Sequence, residues 1–250
     1  MACGSQRSCR YAGALVTLIV GAAVVVAVLV TLSETARIPK LFAAPANGVA
    51  NVDGVNLKHV TLTLQTFPAN PYEDPGWVEK TFPDGMDNGM PIPQPGDNQD
   101  WVTYWPTTTF QVPAHSVVTI RIENYDGKST LLNDFYAKPQ GTFGNTITVD
   151  GKTVDQIKSE DASHTFTIHS IPSSQQDWLY VSVPITGAAD DAPADDWGMP
   201  NQPVVTEFTF ETQGPGHYIW QCFDPCGSGF NGFGGPMSTK GYMSGTIDVV

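Results

Sequence analysis

The chain has 250 residues, and 25 acidic against 12 basic residues give it a formal net charge of -13. Such a surface repels nucleic acid and steers basic partners at moderate salt. No paired nucleophile and base, phosphate-binding loop or His-Glu-x-x-His stretch occurs, so hydrolytic chemistry has no residue-level support.

Residues 1-10 carry Arg7 and Arg10, and the 22 residues that follow, 11-32, are free of charge and rich in Val, Leu, Ala and Ile. At ~1.5 Å rise per residue a helix of that length spans roughly 33 Å, the thickness of a bilayer's hydrocarbon layer. The reading is a single-pass anchor over 11-32, with a cytoplasmic N-terminus and everything after Leu32 outside, in keeping with the positive-inside preference. The alternative is a cleaved signal peptide, for which Phe42-Ala43-Ala44 offers small residues; the apolar run is longer than the ~7 to 15 residues such peptides use. Cys3 and Cys9 then lie on the reducing side as free thiols, and Cys222 and Cys226 lie where oxidation is allowed. Two of the basic residues and no acidic one precede Ser33, so the remainder holds 10 basic against 25 acidic residues.

Residues 33-53 are polar and small and read as a linker, leaving 54-250 as one domain. His59-Val-Thr-Leu-Thr-Leu-Gln alternates with period two and predicts the first strand. Prolines and glycines recur from about 67 to 100, which predicts a long excursion without a regular core element. Further strands are predicted over Tyr104-Val112, Val117-Glu123, Thr146-Val149, His164-His169, Trp178-Val183, Val204-Glu211, His217-Cys222 and Gly245-Val249. Their spacing, with turn signals between them, predicts an all-β Greek-key sandwich. The aspartates between Gly187 and Trp197 lack the fixed spacing of a calcium loop and read as a solvated turn.

The chemistry concentrates near the C-terminus. There Pro-Gly-His-Tyr-Ile-Trp-Gln-Cys (215-222) runs into Pro-Cys-Gly (225-227), a glycine-rich loop, and Tyr-Met-Ser-Gly-Thr-Ile-Asp-Val (242-249). Strand periodicity puts Tyr218, Trp220 and Cys222 on one inner face. Some fifty residues earlier, His164 heads an alternating strand. Cys and Met are soft donors suited to copper.

This arrangement resembles the cupredoxin superfamily, and Cys222-Phe-Asp-Pro-Cys226-Gly looks more specifically like the copper-binding loop of cytochrome c oxidase subunit II. The resemblance implies a cupredoxin-like β-sandwich in which His164, Cys222 and Met243 fall on copper-ligand positions, with Cys226 as a second thiolate. Where that family carries a His after the second Cys, this chain has Phe230, and no histidine follows His217. His169 lies on the opposite strand face from His164, and His217 is out of phase with Cys222. His59 and His115 have no spacing that argues for them. An alternative ligand set is His164, Cys222, Cys226 and one of Met243 or Met237, a sulfur-rich environment that prefers Cu(I).

Two functions from different classes follow. One is a membrane-anchored, extracytoplasmic copper protein that passes single electrons or holds copper near a respiratory oxidase, with a basic cytochrome or that oxidase as its partner. The other is a metal-free interaction module in which Cys222 and Cys226 form a structural disulfide. An oxidase in its own right lacks support, because multicopper oxidation uses His-x-His pairs and the chain has none.

Overall fold

The computed structural model describes residues 6-35, 41-68, 75-81, 101-171, 175-227 and 235-250, and side chains within the first of these only from 15 to 29. It divides into two units, Met1-Arg37 and Ile38-Val250. In the first, helix α1 runs Gln6-Thr35, so the helical state expected for 11-32 is found. The membrane span is not supported, because among the described residues no helix is long and apolar enough to cross a membrane.

In the second unit the strands are β1 (Phe42-Ala43), β2 (Gly48-Val52), β3 (Val55-Phe67), β4 (Thr103-Trp105), β5 (Thr109-Val112), β6 (Ser116-Asn124) and β7 (Ile147-Val149). They continue with β8 (Lys152-Val154), β9 (Ala162-Ser170), β10 (Tyr180-Thr186), β11 (Val204-Glu211), β12 (Gly216-Gln221) and β13 (Ser244-Val249). One sheet has the order β1-β5-β13-β12-β9-β10, and the other the order β2-β3-β6-β11-β7-β8 with β4 beside β3. The expected two-sheet, mostly β architecture is therefore present. Val60, Leu62 and Leu64 of β3 and Val118, Ile120 and Ile122 of β6 are buried in the main core, as period-two alternation requires. Phe166, Ile168, Tyr218 and Trp220 from the other sheet join the same core. Each such side chain contributes about 1.5-3 kcal/mol by leaving water.

The structure corrects three boundaries. Residues 42-52, expected within the linker, form β1 and β2; β2 pairs antiparallel with β3 through Asp53 and Gly54, whose φ values are 50° and 87°. An Asp-Gly pair with both φ values positive is the hairpin turn whose twist matches the strands it joins. The single strand expected over Tyr104-Val112 is instead two: β4 pairs with β3 in one sheet and β5 pairs with β13 in the other. Pro106 between them has no N-H to give to a ladder, and the chain changes sheets there. Within the proline- and glycine-rich excursion, α2 (Pro75-Thr81) is a regular element, and its Trp77 is buried edge-on against Phe67 at 5.6 Å between ring centroids. The remainder of that excursion, 69-74 and 82-100, lies outside the described residues.

The order β13-β12-β9 positions the site. Strand β12, leading to Cys222, lies between β9, which carries His164, and β13, which follows Met243. Three segments far apart in sequence thus deliver their ends to one rim.

Candidate metal centre

Strand β12 alternates as expected: Tyr218, Trp220 and Cys222 are all buried, while His217 is exposed. The indole of Trp220 stacks on Phe166 at 4.2 Å, and its Nε1-H donates to the carbonyl of Thr108 at 2.9 Å. That anchoring fixes the strand one residue pair below Cys222, so the sulfur emerges from a rigid floor. Beyond it the chain turns back, and Gly227, with φ of 74°, ends the turn. A Cβ there would sit 2.7 Å from Pro236 Cγ and 2.9 Å from Trp101 Cδ1, so only glycine fits beside Cys226 without displacing a neighbour.

One nitrogen and two sulfurs converge at the rim. One donor atom each of His164, Cys222 and Cys226 lies within 4.8 Å of the others. The two Sγ atoms are 3.7 Å apart, and Cys226 Sγ is 3.8 Å from His164 Nδ1. Both cysteines are free thiols, well outside the ~2.05 Å of a bonded pair. His164 is 4% exposed and Cys222 0%. Thr165 supports Cys222 Sγ from its backbone N-H at 3.3 Å, and its hydroxyl accepts the Phe223 N-H at 2.6 Å. The carbonyl oxygen of Asp224 lies 3.2 Å from Cys222 Sγ and 2.9 Å from Cys226 Sγ, an acceptor facing both sulfurs.

The electrostatics are those of a charged group held in a dry place. Burial disfavours a thiolate at Cys222, but the Cys226 thiol and the His164 ring together hold it well below the ordinary thiol value. Cys226 moves the opposite way, raised by its hydrogen bond to Cys222 and by burial. Burial also disfavours a charged His164, yet the Asp126 carboxylate and the Cys222 sulfur hold its pKa up at about 9. Asp224 is raised by burial and by the neighbouring Cys222. These directions favour negative charge on Cys222 and protons on His164 and Cys226.

Met243 lies across from Cys222 and is fully buried in the same core. Met237, in the short 3-10 turn Gly235-Ser238, is partly buried and packs against that core from the loop side. The structure thus brings His164, Cys222 and Cys226 together, sets Met243 opposite Cys222 in the turn that leads into β13, and leaves Met237 on the flank. Phe230 lies outside the described residues. The other histidines are elsewhere: His59 Nε2 pairs with the Thr119 hydroxyl at 2.8 Å, and His217 pairs with Asp248 at the surface. His169 lies across the strand from His164, its ring 5.6 Å from that of Phe223, and His115 sits in a turn with φ of 49°.

Three supporting groups escaped the sequence reading: Thr165, the Asp224 carbonyl, and Asp126, whose Oδ2 is 2.9 Å from His164 Nε2. The first two adjoin predicted ligands and could have been found by inspecting their neighbours. A cavity of about 340 Å³ opens beside the cluster, lined by His164, Cys226, Asp126, Asp224 and Ser163 among others.

No protein-family model matches the chain, and no curated protein matches it in sequence. Among solved structures it is similar to auracyanin B, at 12% identity and a TM-score of 0.32, covering 86% of this chain and 99% of that one. Reduced rusticyanin follows at 11% identity and a TM-score of 0.32, covering 77% and 79%. A multi-copper oxidase from Pseudomonas thermotolerans gives 12% identity and a TM-score of 0.24, covering 82% of this chain and 32% of that one. At these identities and TM-scores the likeness is slight.

Proposed function

We propose that the β-sandwich domain holds copper between His164 Nδ1 and the sulfurs of Cys222 and Cys226, with Met243 as a weaker fourth donor, and serves single-electron transfer or copper holding. The observation that carries this reading is the convergence of one imidazole nitrogen and two unbonded sulfurs at a buried rim. The donor chemistry fits: two thiolates and an imidazole suit copper, and the sulfur-rich set favours Cu(I). Copper bound there supplies a one-electron couple. The chain's own residues do the rest: Thr165 supports Cys222, the aromatic floor under Trp220 keeps the strand rigid, and the buried setting limits water. Metal entry requires the proton on Cys226 to leave and the His164 ring to become neutral.

Nothing in the geometry favours a structural disulfide, since the sulfurs stand 3.7 Å apart as free thiols. The same reading places the domain outside the cytoplasm, close to a respiratory oxidase or a basic cytochrome. What supports the choice of partner is the acidic excess of the remainder, which suits a basic surface. Cell fractionation with protease accessibility tests it; a domain protected inside the cytoplasm rejects it.

The copper reading is tested on the full chain, reduced and titrated with Cu(I) against a competing chelator, then oxidised while the visible spectrum is recorded. The expected result is stoichiometric copper with a thiolate-to-copper charge-transfer band, abolished in Cys222→Ser and weakened in His164→Ala. Uptake no stronger than that of the Cys222→Ser protein rejects the reading.

A further inference from the structure

The two nitrogens of His164 face different chemistry. Nδ1 is turned to the sulfurs, 3.8 Å from Cys226 Sγ, while Nε2 is 2.9 Å from Asp126 Oδ2. A carboxylate only accepts, so Nε2 carries the hydrogen and donates it, and the lone pair available to a metal is that of Nδ1. Asp126 is 38 residues from His164 in sequence and comes from the opposite sheet, just beyond β6.

Asp126 is itself held on every side. Its other carboxylate oxygen accepts the N-H of Gly127 at 2.9 Å, and its backbone N-H donates to Asn124 Oδ1 at 3.2 Å. Its backbone carbonyl accepts from Asn124 Nδ2 at 3.3 Å and from the Ala188 N-H at 3.0 Å. Asn124 is fully buried; it accepts from the Thr66 hydroxyl of β3 and donates to the Thr186 carbonyl of β10 at 3.0 Å. A buried amide tied to strands of both sheets therefore fixes the turn, and the turn fixes the carboxylate.

We propose that Asp126 is the positioning residue of this centre: clamped by Asn124, its carboxylate sets the ring orientation and tautomer of His164, so that Nδ1 is offered to the sulfur pair. The proposal rests on the copper reading of the site. Outer-shell carboxylates of this kind hold a ligating imidazole in place and raise its basicity, and their loss costs roughly 10-100-fold in metal affinity. The charge has a second consequence: a carboxylate one ring away from the metal favours the more positive oxidation state, so it lowers the reduction potential.

The test compares the full chain with Asp126→Asn, Asp126→Ala and, as a charge control in the β2-β3 turn at the far end of β3 from its Thr66-Asn124 pairing, Asp53→Asn. Cu(I) affinity is expected to fall roughly 10-100-fold in Asp126→Ala. It should fall less in Asp126→Asn, which keeps an acceptor. The reduction potential should rise in both relative to Asp53→Asn, while the charge-transfer band persists. A readout independent of metal is the His164 ring in the metal-free protein at one fixed pH, followed by nitrogen-15 NMR: the Nε2-H signal should be slow to exchange in the parent and in Asp126→Asn, and lost in Asp126→Ala. Parental affinity and potential in both Asp126 variants overturn the proposal, as does an Nε2-H signal that survives in Asp126→Ala. Should the parent take up no copper, the copper reading fails separately, and the ring signal still decides whether Asp126 holds the imidazole. If Asp126→Ala does not fold, the Asp126→Asn potential carries the decision.

Discussion

Cys222 donates its backbone N-H to the carbonyl of Met243 at 3.0 Å, so the two residues sit directly opposite each other where β12 and β13 meet the loop. Residues opposite in an antiparallel pair project to the same side, which places both sulfur-bearing chains in one buried layer. Met237 has no such pairing. Met243→Leu should therefore weaken Cu(I) binding severalfold while costing less than about 1.5 kcal/mol of stability, because the swap nearly conserves volume. Met237→Leu should leave both unchanged. Chelator competition and urea denaturation of the two variants check this, and equal copper affinity in both would remove Met243 from the ligand set.

Copper affinity should rise with pH. Burial works against a proton on His164, but Asp126 and then Cys222 keep it there up to about pH 9, and Cys226 keeps its proton beyond its ordinary range. Both protonated forms compete with metal, so below pH 9 each displaced proton makes binding about tenfold tighter per pH unit. Chelator competition at pH 6, 7 and 8 measures the slope. A flat profile would show that neither group surrenders a proton to the metal.

Removing His164's charge should also change the metal-free protein in a pH-dependent way. Its folded pKa of about 9 lies above the 6.5 of an ordinary imidazole, so its contribution to stability is complete below about pH 6.5 and is lost as pH rises towards 9. The difference in melting temperature between the metal-free parent and His164→Gln should accordingly be largest near pH 6 and shrink towards pH 9. A difference that grows with pH would contradict the ion pair with Asp126.

Gly245 faces Trp220 across the strands, and a Cβ at 245 would lie 1.7 Å from the Thr108 carbonyl oxygen and 2.6 Å from Trp220 Nε1. That carbonyl is the acceptor that fixes the indole. Gly245→Ala must separate β13 from the Thr108 segment or move the indole, at a cost of about 2-4 kcal/mol from overpacking and the disturbed hydrogen bond. Urea denaturation should show a clear drop in midpoint, and copper uptake should suffer with it, since Cys222 stands just above this layer.

Tyr104 is fully buried, and its hydroxyl finds no hydrogen-bond partner among the described residues. Burial first, then the charges of Cys222, Cys226 and Asp126, raise its pKa well above the ordinary phenol value. Removing an unpaired buried hydroxyl relieves its desolvation cost, so Tyr104→Phe should leave stability unchanged or raise it by up to about 1 kcal/mol. A loss of more than that in thermal unfolding would mean the hydroxyl is paired in solution.

Much of the fold was legible because strands announce themselves by alternation. Val204-Glu211 was predicted with the bounds that β11 has, and Tyr218, Trp220 and Cys222 share the buried face that period two assigned them. The two short hairpin strands that escaped, β2 and β8, each adjoin an Asp-Gly pair, Asp53-Gly54 and Asp150-Gly151, with positive φ at all four residues. That turn signal was present in the sequence, and it was the brevity of the flanking strands that hid them.

What the amino-acid sequence determined by itself is which side chains carry chemistry and which face of its strand each one takes, because side-chain direction along a strand depends only on parity. Parity put Cys222 on the inner face, and the resemblance of the motifs singled out His164, Cys226 and Met243 beside it. Tertiary structure alone decided that Asp126 rather than any of the many other acids meets His164, and that Asn124 ties it to both sheets. Parity says which way a side chain points, but which group waits for it across the rim depends on how two sheets and their loops are stacked, and no local pattern records that.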